Sequence, residues 1–147
     1  MKIIVGVDGS ASAAHAVQWC AKYGGALGAE VVVVYAFEAP SYDSAAMQHY
    51  FPIRLFTEDD RARLRERVAR DWCSALDAAS VSHRVEVLEG RAAKVIIKTA
   101  EAEDADLVVV GRRGLGGFEE RLLGSTSYHL AHHLDRPLVI VPTEPDE

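Results

Sequence analysis

The residues best placed to do chemistry lie between 106 and 128. An apolar run, Leu107 to Val110, breaks at Gly111; Gly114, Gly116, Gly117 and Gly124 follow, with Ser125, Thr126 and Ser127 directly behind the last. Glycines let backbone N–H groups come close to a bound group. A helix that opens on hydroxyl residues presents unpaired N–H groups and partial positive charge, so the stretch can seat a phosphate. It is not a P-loop, because no Gly-Lys-Ser/Thr occurs anywhere in the chain. Nor can the Gly-x-Gly-x-x-Gly dinucleotide fingerprint be placed on 111–124.

Several other groups invite a chemical reading. Asp8 sits in Asp8-Gly9-Ser10 after the first apolar run, where it can accept from a ligand hydroxyl or simply hold the turn. His129, His132 and His133 have the spacing of a helical chelate, but Leu130, Ala131 and Leu134 read as the buried stripe opposite them, so the histidines read as solvent-facing and no metal site is assigned. Arg61, Arg63, Arg65, Arg67 and Arg70 punctuate one helix, yet Glu58, Asp59, Asp60, Glu66 and Asp71 dilute them into a solvated face. Cys20 and Cys73 fall in helix-like segments expected to cover opposite faces of a sheet, so a bridge between them is not expected.

The elements that must position these groups alternate. Residues 2–7 form a β-branched run. A helix capped by Ser10 runs to about Leu27, with Ala13, Ala14, Val17, Cys20 and Ala21 on its inner face, and residues 30–37 form a second buried strand. Residues 38–56 break the pattern. Tyr42, His49, Tyr50, Phe51 and Phe56 there suit either a flap or oligomer contact, or a short helix packed on its own domain. Thr57 to Asp60 resembles a capping box for a helix reaching about Ala79, with Leu64, Val68, Trp72, Ala75, Leu76 and Ala79 inward. An alternating edge strand from His83 to Leu88 follows, then a helix from about Ala92 to Glu103 with Ala93, Ile96, Ile97 and Ala100 inward. The glycine stretch, a helix to about Leu134, and a strand from Leu138 to Val141 complete the set, leaving 143–147 as a frayed tail. Five strands and four main helices in alternation predict a single doubly wound α/β domain, its mostly parallel sheet ordered 3-2-1-4-5. Ligands in such sheets bind beyond the carboxyl ends of the strands where the order reverses. That brings Asp8, the region of Ala36 and the Gly111 loop together.

Bulk composition narrows the function classes. The chain has 147 residues and a net charge of −6, which disfavours sequence-independent nucleic-acid binding. No apolar run approaches the roughly 18 residues of a membrane span, and no signal-like segment opens the chain. The expected location is cytoplasmic.

Gly111-x-x-Gly114, nine residues, then Gly124-Ser125 is similar at every fixed position to G-2x-G-9x-G-(S/T), the nucleotide motif of the universal stress protein family. IIVGVDGS near the start, ADLVVVG before the motif and RPLVIVP near the end resemble that family too. The resemblance implies an ATP-binding member, with the nucleotide taken alone or with Mg2+; AMP or cyclic AMP is the alternative ligand. On this sequence it implies that Asp8 meets the ribose hydroxyls, Gly6 and Val7 line sugar and base, and Ala36 offers backbone to adenine. Val110, Gly111, Arg113 and Gly114 would wrap the ribose and phosphate side, and Gly124, Ser125, Thr126 and Ser127 would hold phosphates. Arg113 stands where the family often has histidine. The resemblance also implies a homodimer through Leu138 to Val141, with an unoccupied site as a further alternative.

Rival readings fail on residues. A phosphoryl-accepting regulator needs an acidic cluster after the first strand and a lysine after the fifth; here one acid ends the first strand and no lysine follows Lys98. An adenylating enzyme needs Ser-Gly-Gly-x-Asp-Ser after the first strand, and this chain has Gly-Val-Asp-Gly-Ser. No general base, carboxylate pair or catalytic lysine is evident, so no catalytic residue is assigned and turnover is expected to be slight or nil.

Overall fold

The computed structural model describes residues 1–38, 56–115 and 123–143. The irregular connection read over 38–56 lies outside these residues except for Glu38 and Phe56. Gly116, Gly117 and the tail from 144 lie outside them as well.

Among the described residues ten elements follow in order: β1 (Lys2–Val7), α1 (Ala11–Gly24), β2 (Glu30–Phe37), α2 (Glu58–Trp72), α3 (Ser74–Ala78), β3 (His83–Glu89), α4 (Ala92–Ala102), β4 (Leu107–Gly111), α5 (Ser125–His133) and β5 (Leu138–Val141). The strands form one sheet, parallel throughout, in the order β3-β2-β1-β4-β5. At its centre Val5 pairs with Val33 on one side and Val109 on the other.

Strand side chains alternate between faces, so each central strand feeds two cores. Ile3, Val5, Val7, Val31, Val33 and Val109 pack under α1, α2 and α3. Ile4, Val32, Val34, Val108 and Val110 pack under α4 and α5. This explains the near-continuous apolar runs in sequence, since neither face of the sheet is free.

The local signals act as expected at both capped starts. Ser10 Oγ accepts the Ala13 N–H at 3.1 Å. Thr57 Oγ1 accepts the Asp60 N–H at 3.2 Å, and Asp60 Oδ2 accepts the Thr57 N–H at 3.0 Å. The boundaries and stripes differ in detail. The single helix read to about Ala79 is interrupted at Cys73 and resumes as α3, leaving Ala79 exposed. In α1 the buried stripe uses Ser12 and Ala16, while Ala14 is exposed. In α4 it centres on Val95, Ile96, Thr99 and Ala100, turned slightly from the stripe read in sequence. Small residues make both stripes degenerate, and packing against the sheet chooses between them.

One expectation is corrected. Cys20 and Cys73 do not lie on opposite faces; both are fully buried in the same core under α1 and α3. The reason is handedness. Right-handed crossovers that step outward from β1 to β2 to β3 leave both of their helical connections on one face. The return past β1 to β4 and β5 sends α4 and α5 to the other. Both cysteines remain free thiols.

Burial pushes the Cys20 thiol up to about 12 and the Cys73 thiol, with help from Asp77, up to about 11. Neither is a thiolate near neutrality, and the thiolate is the reactive form. Iodoacetamide at about pH 8 should therefore leave both cysteines unmodified in the native protein and alkylate both in denaturant, read by intact mass. Rapid native labelling would show that this core opens.

Candidate functional site

The carboxyl ends of β1, β2 and β4 open into a cleft of about 210 Å3. All twelve residues singled out in the sequence line it: Gly6, Val7, Asp8, Ala36, Val110, Gly111, Arg113, Gly114, Gly124, Ser125, Thr126 and Ser127. The cleft also takes in Ala13, Val34, Ala92, Ile96 and Leu115, which sequence reasoning did not assign to it. Val34 and Ile96 read as ordinary core positions. Only the sheet order shows that the core ends at the cleft floor.

Each wall has a local cause. After β1 the chain turns through Gly9 at φ +84°, and a Cβ there would lie 2.6 Å from Trp72 Cζ2, so both backbone conformation and space require glycine. That turn carries Asp8 to the cleft rim. At the end of β4, Gly111 lies against the first turn of α1. A Cβ on Gly111 would sit 2.5 Å from the Ser12 carbonyl carbon and 2.6 Å from its oxygen. Buried Ser12 then accepts the Arg113 N–H on its Oγ at 3.0 Å. Ser12 is the positioning residue that the sequence left unnoticed; its signal was a hydroxyl on the otherwise small, buried stripe of α1.

The glycine loop is stitched at both ends. The Arg112 N–H donates to the Val141 carbonyl at 2.9 Å, and the Gly124 N–H donates to the Arg112 carbonyl at 2.8 Å. Ser127 is buried, and its Oγ lies 2.9 Å from the Arg112 carbonyl and 3.1 Å from the Gly124 carbonyl. Its hydroxyl thus faces the loop backbone. Gly124, rather than Ser125, is the N-cap of α5, and no side chain among the described residues caps that helix. Its first turn is left with donors and positive potential on the cleft wall.

Across the cleft, Asp8 holds two segments together. Its Oδ1 accepts the Ser10 N–H at 2.9 Å, a local turn bond, and its Oδ2 accepts the Leu115 N–H at 3.3 Å. Asp8 is the single carboxylate among the described lining residues. The Nε atoms of Arg112 and Arg113 are buried without a hydrogen-bond partner among the described residues. Val34, Ala36, Ile96 and Val110 supply an apolar floor. The arrangement suits a ligand with a flat apolar part, hydroxyls near Asp8 and an anion at the start of α5.

The histidines of α5 do not form a comparable centre. The His129 and His133 ring centroids lie 4.4 Å apart with the rings tilted by 42°, and among the described residues no three His, Cys, Asp or Glu side chains group to hold a metal. Among the described residues no helix is long and apolar enough to cross a membrane.

Sheet order and cleft together define a doubly wound α/β protein with a glycine-loop site at its topological switch point. A sequence profile of the universal stress protein family matches residues 1–142, and the chain belongs to that family. A universal stress protein of Synechocystis sp. is 30% identical over 148 residues, covering 95% of this chain and 96% of the relative. One from Mycolicibacterium smegmatis is 31% identical over 143 residues, but this chain spans only 47% of its length. Among solved structures, universal stress protein UspA from Lactobacillus plantarum superposes with a TM-score of 0.78 at 18% identity, covering 96% of this chain and 97% of its own. A universal stress protein in complex with cAMP gives 0.71 at 25% identity, with 96% of each chain covered. Family proteins from Archaeoglobus fulgidus, in complex with dAMP, and from Arabidopsis thaliana, with AMP bound, each give 0.67, at 18% and 16% identity; the match covers 96% and 100% of this chain and 97% and 94% of theirs.

The close contact at Gly111 generates a graded pair of expectations. Ser12→Ala strands the Arg113 N–H and should cost about 1–2 kcal/mol in urea unfolding. Gly111→Ala forces backbone apart and should cost about 2 kcal/mol or more. Adding Ser12→Gly to Gly111→Ala should not restore stability, because the clash is with the Ser12 main chain. Full rescue would mean that only the side chain is in the way.

Proposed function

We propose that the cleft binds an adenine nucleotide, ATP first, and that the protein works as a nucleotide-responsive stress or regulatory protein with little or no turnover. The observation that carries this is the convergence of all twelve residues named from the resemblance on one cleft, with the first turn of α5 left uncapped by any side chain among the described residues. Asp8 would accept from the ribose hydroxyls, adenine would lie over Ala36 and the apolar floor, and phosphates would meet the N–H groups of Ser125 to Ser127. Ser127 serves by holding the loop, since its hydroxyl faces the Arg112 carbonyl. Arg113 would supply positive charge from the loop. The absence of turnover rests on the single carboxylate among the described lining residues, which offers neither a metal-binding pair nor a separate base.

AMP or cyclic AMP is the second reading. The cleft is small, at about 210 Å3, and the related structures named above hold mononucleotides. Within the same proposal, β5 pairs with a second copy of the chain. It ends the sheet, and Leu138, Val139 and Ile140 are only half-buried.

Mass spectrometry of nucleotide released from the purified protein identifies the ligand, and titration calorimetry ranks ATP, AMP and cyclic AMP. Asp8→Ala should weaken binding about 10- to 100-fold, the loss of hydrogen bonds to a charged group. Gly114→Ala should also weaken it, because the new Cβ would sit 2.7 Å from Asp8 Oδ2 and displace the carboxylate. No released nucleotide and no heat with any of the three ligands would sink the proposal. Phosphate release abolished by Asp8→Ala would instead make the protein an enzyme.

For β5, Ile140→Asp should shift sedimentation from dimer to monomer. A wild-type monomer at all concentrations would remove the dimer.

A further inference from the structure

The nucleotide cleft does not stand alone. A neighbouring groove of about 510 Å3 shares Ala36, Ala92, Ser125 and Thr126 with it. Small-molecule sites typically enclose about 300–1,000 Å3. The cleft at about 210 Å3 falls short of that range, while the two cavities joined fall inside it.

The groove is also cationic in a way the cleft is not. Arg91, Lys94 and His129 line it, with Glu38 the one carboxylate among its described residues. Glu38 engages Arg91 only at 3.7 Å, with both side chains mostly exposed, and a pair of that kind leaves the guanidinium available. Lys94 has no ion pair among the described residues. Arg91 and Lys94 flank the start of α4, while Ser125 and Thr126, which would meet the ligand's phosphates, form the wall common to both cavities.

Resting on the adenine-nucleotide reading above, we propose that this groove is a second, anion-accepting subsite, and that the ligand class the joined cavities take is a dinucleoside polyphosphate. One adenosine occupies the cleft, the phosphate bridge passes the first turn of α5 at Ser125 and Thr126, and the far half lies over Arg91 and Lys94. No bond is made or broken.

The test is titration calorimetry with diadenosine tetraphosphate, ATP and AMP on the wild type and on the Arg91→Ala, Lys94→Ala double variant. Both side chains stand at the surface, and an unchanged melting temperature confirms that the variant folds. The wild type should bind diadenosine tetraphosphate about tenfold more tightly than ATP, which carries similar charge, and the variant should lose that advantage. AMP should change by less than about twofold. Equal weakening of all three ligands, or none, overturns the second subsite. If ATP gains as much from Arg91 and Lys94 as the dinucleotide does, the groove serves a triphosphate tail and the dinucleotide assignment is wrong. If AMP binds but the dinucleotide binds no tighter than ATP, only the present inference falls. If no adenine nucleotide binds the wild type, the reading beneath it falls as well.

Discussion

The contact on which the site depends is that of Gly111 against the first turn of α1. The end of β4 comes so close to the main chain of Ser12 that no side chain fits between them. That proximity lets the Ser12 hydroxyl take the Arg113 N–H, which fixes where the glycine loop leaves the sheet. The bond from the Arg112 N–H to Val141 ties the same point to β5, and the Arg112 carbonyl receives Gly124 and Ser127 from the far end of the loop. Three residues, Gly111 to Arg113, thus anchor α1, β5 and α5 at one spot.

Asp8 adds to this frame. Its two oxygens are already engaged, one in its own turn and one on the Leu115 N–H at 3.3 Å. The turn bond is local and costs little to keep. The Leu115 bond is longer and at the surface, so it is the weaker of the two. Asp8 therefore holds its own turn and the start of the glycine loop together at the rim of the cleft.

The sheet explains why such a site exists at this end. Parallel strands place all their carboxyl ends together, and reversal of the strand order at β1 separates the flanking connections and leaves a crevice. The core on each face buries β1, β2 and β4, while the rim carries glycines, a half-buried carboxylate and arginine nitrogens that have no partner among the described residues.

The family resemblance pointed to the twelve residues around the cleft and the doubly wound pattern to the strand order; by itself the sequence determined the alternation of strands and helices, both capped helix starts and the glycines of the loop. Those features are written in short-range terms: apolar period, turn chemistry, cap residues and a fixed glycine spacing. Tertiary structure decided the rest. Cys20 and Cys73 share a face because crossover handedness is a property of consecutive β-α-β units, not of either helix. Ser12 matters only because β4, about a hundred positions away in the chain, passes over it. Ser127 turns its hydroxyl to the loop, although its neighbours in sequence look equivalent, because burial leaves it the Arg112 and Gly124 carbonyls to satisfy. The buried stripes of α1 and α4 rotate for the same reason. Among small residues, the sequence fixes which faces can be buried, and contact with the sheet fixes which one is.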